Sequence, residues 1–256
     1  MSTVSLVVHN RTAVITIERP DARNAVDGPT AQALYDAFKA FDADPAFDVA
    51  VLQGRDGAFC AGADLKAVAT GRGNPVNRVG DLGPMGCTRL ALSKPVIAAV
   101  EGHAVAGGLE VACWCDLRIA AEDAIFGVFC RRFGVPLIDL GTIRLPRLIG
   151  QSRAMDMILT GRAVSASEAL SMGLANRVVP KSKALETALE LADQLSAFPQ
   201  ICLRNDRVSC LAQWSLDWDA AIRFEVELGL ATLATGETRD GAARFSAGQG
   251  RHGAFT

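Results

Sequence analysis

Glu110 follows three residues after Gly107, where an apolar run ends in a glycine-containing turn. The run is rich in Val and Ile and is typical of a buried strand that leads through a tight turn into a helix. The first turn of such a helix exposes main-chain N–H groups, which can stabilise negative charge that develops on a carbonyl oxygen. With a carboxylate beside them, these groups favour chemistry at the carbon next to a carbonyl. The same residues also fit an ordinary helix start with a surface glutamate.

A second glycine turn precedes another predicted helix. Residues 59–65 read Phe-Cys-Ala-Gly-Ala-Asp-Leu and follow a strand-like apolar segment at residues 49–52. Asp64 is suited to the N-terminal end of the helix, because its side chain can accept hydrogen bonds from free N–H groups there. Two turns of this kind can each direct one N–H group at the same oxygen atom.

The two turns, in this order, resemble those of the crotonase (enoyl-CoA hydratase/isomerase) superfamily. Residues 19–25, 140–150 and 160–174 are similar to further segments of that family, so the resemblance covers nearly the whole chain. It implies an α/β fold with a crotonase-like ββα spiral core in residues 1–195. It also implies a C-terminal helical oligomerisation region in residues 196–256, and a homotrimer or a dimer of trimers.

The resemblance implies an acyl-CoA thioester as the substrate. The thioester oxygen would lie between the N–H groups of Ala63 and Gly107, which would stabilise an enolate, and Glu110 would move a proton. The substrate- and CoA-binding positions that it assigns are Arg23, Ala25, Ala61, Asp64, Leu65 and Cys130. Arg23 fits a solvated surface charge equally well. The family usually carries a Lys-Arg pair near the C-terminus. This chain has only Arg251 there as a candidate to contact a CoA phosphate.

Cys130 stands where hydratases of the family carry a second glutamate. A hydratase holds water, removes its proton and protonates the α-carbon, and two carboxyl groups make this efficient. Asp139 begins an Asp-Leu-Gly-Thr segment that resembles the acid of family dienoyl-CoA isomerases, so we predict that it is the second proton-transfer group. The alternative is that Asp139 caps the helix that follows. We do not expect covalent catalysis by Cys130, since nothing nearby in the sequence activates the thiol.

These residues favour an enoyl-CoA hydratase-type lyase acting on an unsaturated acyl-CoA. The alternative among enzymes is an enoyl-CoA or dienoyl-CoA double-bond isomerase with Glu110 and Asp139 as proton shuttles, which Cys130 mildly favours. The alternative of another class is a non-catalytic acyl-CoA-binding homologue. We expect no metal and no cofactor, because coenzyme A is part of the substrate. The absence of a Gly-x-Ser-x-Gly motif disfavours a serine esterase.

Composition limits the class of protein. The chain has 256 residues, half of them hydrophobic, and a net charge of -2, which predicts a folded domain with a sizeable core. The sequence has no basic run interleaved with aromatic residues, so we do not expect a nucleic-acid partner. We expect a cytoplasmic protein that does not bind membranes, since we find neither a segment of spanning length nor a signal pattern. Seven scattered cysteines, an odd number, argue against structural disulfides.

The elements that must position these residues can be read from periodicity. Alternation predicts paired strands at residues 5–8 and 13–17, and apolar runs predict strands at 49–53, 96–100 and 117–120. Leu34, Phe38 and Phe41 recur at helical spacing. The turn-rich residues 70–75 are either a flap over the substrate or an ordinary surface loop.

From about residue 151 the pattern becomes helical. An apolar stripe at four-residue spacing, which some other surface must cover, is formed by Trp214, Trp218, Ile222, Val226 and Leu230.

Overall fold

The computed structural model describes residues 2–250 of the chain. The chain divides into two compact units, Met1–Leu195 and Ser196–Thr256. Arg251, the predicted phosphate contact, lies outside the described residues. None of the helices within residues 2–250 is both long enough and apolar enough to span a membrane.

The first unit is built around two sheets. Its strands are β1 (Val4–His9), β2 (Thr12–Ile17), β3 (Val49–Gly54), β4 (Val96–Val100), β5 (His103–Val105), β6 (Leu117–Ala121), β7 (Ile125–Gly127), β8 (Ala163–Ser165) and β9 (Arg177–Val179). The larger sheet has the order β1-β2-β3-β4-β6-β9, and the smaller one has the order β5-β7-β8. In the larger sheet only β1 and β2 are antiparallel.

Helices connect the strands and form the second unit. They are α1 (Gly28–Ala43), α2 (Leu65–Ala69), α3 (Gly107–Trp114), α4 (Gly141–Ile149), α5 (Gln151–Thr160), α6 (Ala166–Met172), α7 (Ala184–Ser196), α8 (Gln200–Ala212), α9 (Trp218–Thr235) and α10 (Glu237–Ser246). The predicted strands are thus present with nearly the expected bounds, and α1 contains Leu34, Phe38 and Phe41, the residues at helical spacing. The predicted α/β class is confirmed.

Both faces of the central strands β2, β3, β4 and β6 are largely buried, which is why these strands read as almost continuous apolar runs. Successive side chains point to opposite faces. Ala50 and Leu52 of β3 pack in the main core with α1, whereas Val49 and Val51 pack in a second cluster with α7. The second glycine turn directly follows β5 of the smaller sheet, whereas the first follows β3 only after a short 3₁₀ turn, Arg55–Gly57.

The region after residue 151 is not purely helical. Two three-residue strands interrupt it: β8 pairs with β7, and β9 pairs with β6. A strand of three residues is too short to show alternation, so the sequence pattern missed both of them.

The connection between the two glycine turns is a short parallel pairing. Cys60 N donates to His103 O at 2.9 Å, and Val105 N donates to Cys60 O at 3.1 Å. This pairing carries residues 60–63 alongside residues 104–107. Segments more than forty positions apart in sequence thereby become neighbours.

The second unit consists of α8, α9 and α10. Inside it, the Asn205 amide donates to Thr232 Oγ1 at 2.9 Å and to Leu228 O at 3.2 Å, which ties α8 to α9. Large apolar side chains on this unit remain exposed, namely Leu211, Trp214, Trp218, Ile222, Val226, Leu230 and Leu233.

Candidate active site

A cavity of about 780 Å³ opens at the glycine turns, and we call it the site cavity. It is lined mainly by apolar and small residues, among them Leu65, Val68, Phe129, Val135 and Ile138. Seven of the predicted site residues also line it: Ala61, Ala63, Leu65, Gly107, Glu110, Cys130 and Asp139.

The first glycine turn presents the Ala63 N–H group to this region. Val26 N donates to Gly62 O at 2.8 Å, so that carbonyl points towards Val26. In a trans peptide the N–H group points the opposite way from the carbonyl, and therefore the N–H group of Ala63 points away from Val26. Gly62 has φ +94°, a conformation in which a side chain would be strained.

The second glycine turn places Gly107 at the first position of α3, where its N–H group has no acceptor within the helix. Ala106, just before it, has φ 53° and ψ −126°, an unusual conformation for a residue with a side chain. A Cβ atom on Gly62 would lie 2.8 Å from Gly107 N. Bond lengths then place Ala63 N and Gly107 N no more than roughly 6.5 Å apart.

Glu110 lies in the first turn of α3 and is only 2% exposed. Its Oε1 accepts hydrogen bonds from Asp139 N at 2.9 Å and Gly141 N at 2.8 Å. Leu140 between them adopts a left-handed conformation, φ 68°, which turns both N–H groups towards one oxygen. A Cβ atom on Gly141 would lie 2.7 Å from Glu110 Oε1, so a glycine is needed at this position.

Burial is the largest influence on Glu110 and raises its pKa to about 7. The nearby Asp139 raises it further, whereas the two N–H donors lower it, because they favour the ionised form. The pKa rises because desolvation outweighs both donors. A carboxyl group of this kind can hold or release a proton near neutral pH.

Asp139 does not cap the following helix. The cap position of α4 is Leu140, without a side-chain hydrogen bond. The Asp139 carboxylate instead turns towards residues 83–88: Oδ1 accepts from Met85 N at 2.9 Å and from the Thr88 hydroxyl. Asp139 is 3% exposed, and its burial raises its pKa. The capping alternative is therefore wrong.

Cys130 lies in the short 3₁₀ turn Phe129–Phe133 and lines the site cavity. Burial, followed by the charge of Glu110, raises the pKa of its thiol. A thiol that is neutral at physiological pH is neither a strong nucleophile nor a base. Cys130 therefore does not supply the function of a second carboxylate.

Three predicted positions do not line the site cavity: Arg23, Ala25 and Asp64. Arg23 is exposed, and its carbonyl accepts from Ala61 N at 3.1 Å. Asp64 caps α2, as predicted, and its Oδ2 accepts from Arg19 at 2.8 Å. These residues support the loop that leads to the cavity, and their contact with coenzyme A stays a prediction.

The sequence patterns missed Met85, Thr88 and Arg144. Met85 and Thr88 hold Asp139, and Arg144 Nη1 donates to Asp139 O at 3.3 Å. No motif marks these residues, because the segment 83–88 has turn-like composition and meets Asp139 only through the tertiary fold. The Arg144 charge lowers the pKa of both Glu110 and Asp139, although less than burial raises it.

Known proteins resemble this chain over nearly its full length. The profile of the family described as "Enoyl-CoA hydratase/isomerase" matches residues 8–249. The enoyl-CoA hydratase EchA19 of Mycobacterium tuberculosis is 34% identical over 239 residues, 92% of this chain and 90% of the relative. A carnitinyl-CoA dehydratase of Salmonella typhimurium is 42% identical over 186 residues, 71% of this chain and 69% of the relative.

A solved structure gives the same result for the fold. The crystal structure of enoyl-CoA hydratase EchA1 from Mycobacterium marinum superposes with a TM-score of 0.90 at 33% identity and covers 96% of both chains. Family profile, relatives and fold agree, and so the chain is an enzyme that belongs to the enoyl-CoA hydratase/isomerase family, within the crotonase superfamily.

Proposed function

We propose that this protein is an enoyl-CoA hydratase-type lyase that adds water to an unsaturated acyl-CoA thioester. The N–H groups of Ala63 and Gly107 form the oxyanion hole for the thioester oxygen, and Glu110 and Asp139 transfer the protons. The observation that carries the proposal is that both glycine turns and both carboxyl groups line one cavity. The names of the relatives support addition or removal of water rather than isomerisation.

The chemistry follows from the charges in the site. One carboxylate removes a proton from water, and the resulting hydroxide bonds to C3 of the 2-enoyl thioester. The C2–C3 π electrons move towards the carbonyl, and the enolate oxygen lies between the two N–H groups. The other carboxyl group, protonated, delivers its proton to C2. One preorganised main-chain donor contributes about 3–4 kcal/mol to such a step.

Two buried carboxyl groups close together favour a state in which they share one proton. Such a pair contains one acid and one base, which is what hydration needs. Asp139 thus supplies the second carboxyl group that Cys130 does not.

Coenzyme A is part of the substrate, and no separate cofactor enters the proposal. Ala61 and Leu65 line the site cavity and would contact the pantetheine, with Asp64, Arg23 and Ala25 along the path to the adenine. Cys130 would contact the acyl group. A cytoplasmic location stays a prediction, as does the absence of nucleic-acid and membrane partners.

A double-bond isomerase is the second candidate. It needs a shuttled proton but no bound water, and the neutral Cys130 thiol beside Glu110 favours it. A non-catalytic acyl-CoA-binding homologue is the third. The raised pKa of Glu110 argues against that alternative, since a carboxyl group tuned close to neutral pH is typical of proton-transfer sites.

Turnover of purified protein with crotonyl-CoA, a longer 2-enoyl-CoA, a 3-enoyl-CoA and a dienoyl-CoA tests the proposal. We expect hydration of a 2-enoyl thioester that both Glu110→Gln and Asp139→Asn abolish or strongly reduce. Double-bond migration without hydration would establish the isomerase instead. Calorimetric binding of acyl-CoA without any turnover would establish the binding homologue. Failure to bind any CoA thioester would contradict all three candidates.

The expected assembly is a homotrimer or a dimer of trimers. Support comes from the exposed apolar side chains of α9, which water disfavours and a neighbouring subunit would cover.

A further inference from the structure

The hydroxyl of Thr88 is buried against the carboxylate of Asp139. Thr88 is fully buried, and its Oγ1 donates a hydrogen bond to Asp139 Oδ1. Gly83 leaves the space for this pair: a Cβ atom there would lie 2.3 Å from Thr88 Oγ1 and 3.0 Å from Asp139 Oδ1. The contact is therefore built into the loop and is not a chance approach of surface groups.

The two oxygens of Asp139 have different surroundings. Oδ1 accepts from Met85 N as well as from Thr88, whereas Oδ2 accepts no hydrogen bond from any residue in 2–250. Two donors on one oxygen keep the negative charge there, so a proton adds to the other oxygen.

The two carboxyl oxygens of Glu110 also have different surroundings. Its Oε1 accepts from Asp139 N and Gly141 N, and within the described part of the chain no donor reaches Oε2. Each carboxyl group therefore has one oxygen held by two donors and one oxygen left to exchange protons. The held oxygen fixes where the exchanging oxygen lies.

We propose that Thr88 is a positioning residue for proton transfer, which holds Asp139 by Oδ1 and leaves Oδ2 to carry the proton. The inference rests on the proposed function, in which Asp139 is one of the two proton-transfer groups. Thr88 itself does not line the site cavity. When Asp139 gains or loses its proton at Oδ2, the hydroxyl of Thr88 continues to donate to Oδ1, and the side chain keeps its orientation.

The same loop connects this contact to the second glycine turn. The Met85 side chain packs on Gly107, where an added Cβ atom would lie 2.7 Å from its sulfur atom. Met85 N binds Asp139, so residues 85–88 hold the carboxyl group and lie against the Gly107 turn at once. Displacement of Thr88 would therefore first move the carboxyl group of Asp139, because Thr88 binds it directly.

Thr88→Val and Thr88→Ser test the proposal with the substrate that the wild-type enzyme turns over. Valine has nearly the shape of threonine without the hydroxyl, and serine keeps the hydroxyl. We expect Thr88→Val to lower kcat by about tenfold or more, with KM changed by less than about threefold. Serine should restore most of kcat. Loss of a donor to the carboxylate raises the pKa of Asp139, so one limb of the pH profile of kcat should move to higher pH.

Thr12→Val is the matched control. Thr12 is also fully buried, but its hydroxyl has no partner within residues 2–250, so the same substitution removes no hydrogen bond. We expect wild-type kcat and an unchanged pH profile for this variant. If Thr88→Val does not fold, Thr88→Ala, which also lacks the hydroxyl and is smaller, takes its place.

A double-mutant cycle separates the inference from the proposed function. If Thr88 acts through Asp139, Thr88→Val should have little further effect on kcat in an Asp139→Asn background. The inference is overturned if Thr88→Val behaves like Thr12→Val while Asp139→Asn is impaired, and the proposed role of Asp139 then stands. If Asp139→Asn keeps wild-type turnover, the proposed role of Asp139 fails and the inference falls with it.

Discussion

At the scale of single residues, the site depends on two opposing effects on the ionisation of Glu110. Its carboxyl group is removed from water, which favours the neutral form, while two N–H groups hold the ionised form. Desolvation is the stronger effect, and the pKa rises to about 7. The protein therefore keeps a group that is costly to ionise in the folded state, which is a common cost of an active site.

The cost predicts a pH-dependent gain of stability in Glu110→Gln. Glu110 titrates near 4.5 when unfolded and at about 7 when folded. Between these values the folded chain retains a proton that the unfolded chain has lost, so wild-type stability falls as pH rises through this window and is level above it. Glutamine keeps an oxygen for both N–H donors and has no proton to lose.

We therefore expect Glu110→Gln to be more stable than wild type at pH 8 by up to about 3 kcal/mol, which raises the melting temperature by roughly 6–12 °C. The difference should shrink towards pH 5. Thermal melting of both proteins at the two pH values measures it. An equal difference at pH 5 and pH 8 would show that the pKa of Glu110 is not raised by folding.

The sequence predicted the contacts of the site between residues close together in the chain, and it missed the contacts of Asp139 with residues distant in sequence. Gly107 and Glu110 lie within one turn of a helix, so their spacing alone brought them together. Thr88 and Asp139 are 51 positions apart, and only the path of the chain between the sheets makes them neighbours. Nothing in the sequence around either residue encodes that contact.

At the scale of elements, the turn from Asp139 to Gly141 precedes α4 and binds Glu110 of α3 through two main-chain hydrogen bonds. Its left-handed Leu140 orients two N–H groups, and its glycine leaves room for the carboxylate that they hold. The sequence marked this segment through Asp139 but suggested a helix cap as the alternative. The cap fails because the side chain turns to a distant loop that a sequence pattern does not show.

Gly141→Ala should disturb this turn directly. The new methyl group would lie 2.7 Å from both Cγ and Oε1 of Glu110 and displace the carboxyl group. We expect kcat to fall by at least about tenfold, because proton transfer needs hydrogen-bond distances, while CoA binding by calorimetry is preserved.

Gly241→Ala in α10 is the control for that substitution. Its added methyl group would approach nothing closer than 3.9 Å, and alanine favours a helix over glycine. Turnover equal to wild type in both variants would show that the Glu110 position does not depend on this turn.

At the scale of the whole molecule, the apolar stripe of α9 remains without a cover in its own unit. Trp218 is 80% exposed, and Ile222, Val226 and Leu230 are about half exposed. Periodicity predicted the stripe, but a single chain cannot show what covers it. We expect sedimentation of the protein to give three copies or a multiple of three.

Val226→Asp should shift that assembly towards monomer, because burial of an unpaired carboxylate at an interface is costly. Glu227→Ala, one position along the same helix, should leave the assembly unchanged. Sedimentation at several protein concentrations compares the two variants. A wild-type protein that stays monomeric throughout would refute the predicted trimer.

The carbonyl stretch of a bound enoyl-CoA, carbon-13 labelled at the thioester carbonyl, tests the central claim most directly. Glu110→Gln is the protein of choice, since it should bind the thioester without rapid turnover. If Ala63 and Gly107 both donate to the thioester oxygen, the carbonyl is polarised, and its infrared band moves to lower wavenumber than in water. A band at the same wavenumber in the complex and in water would contradict the account.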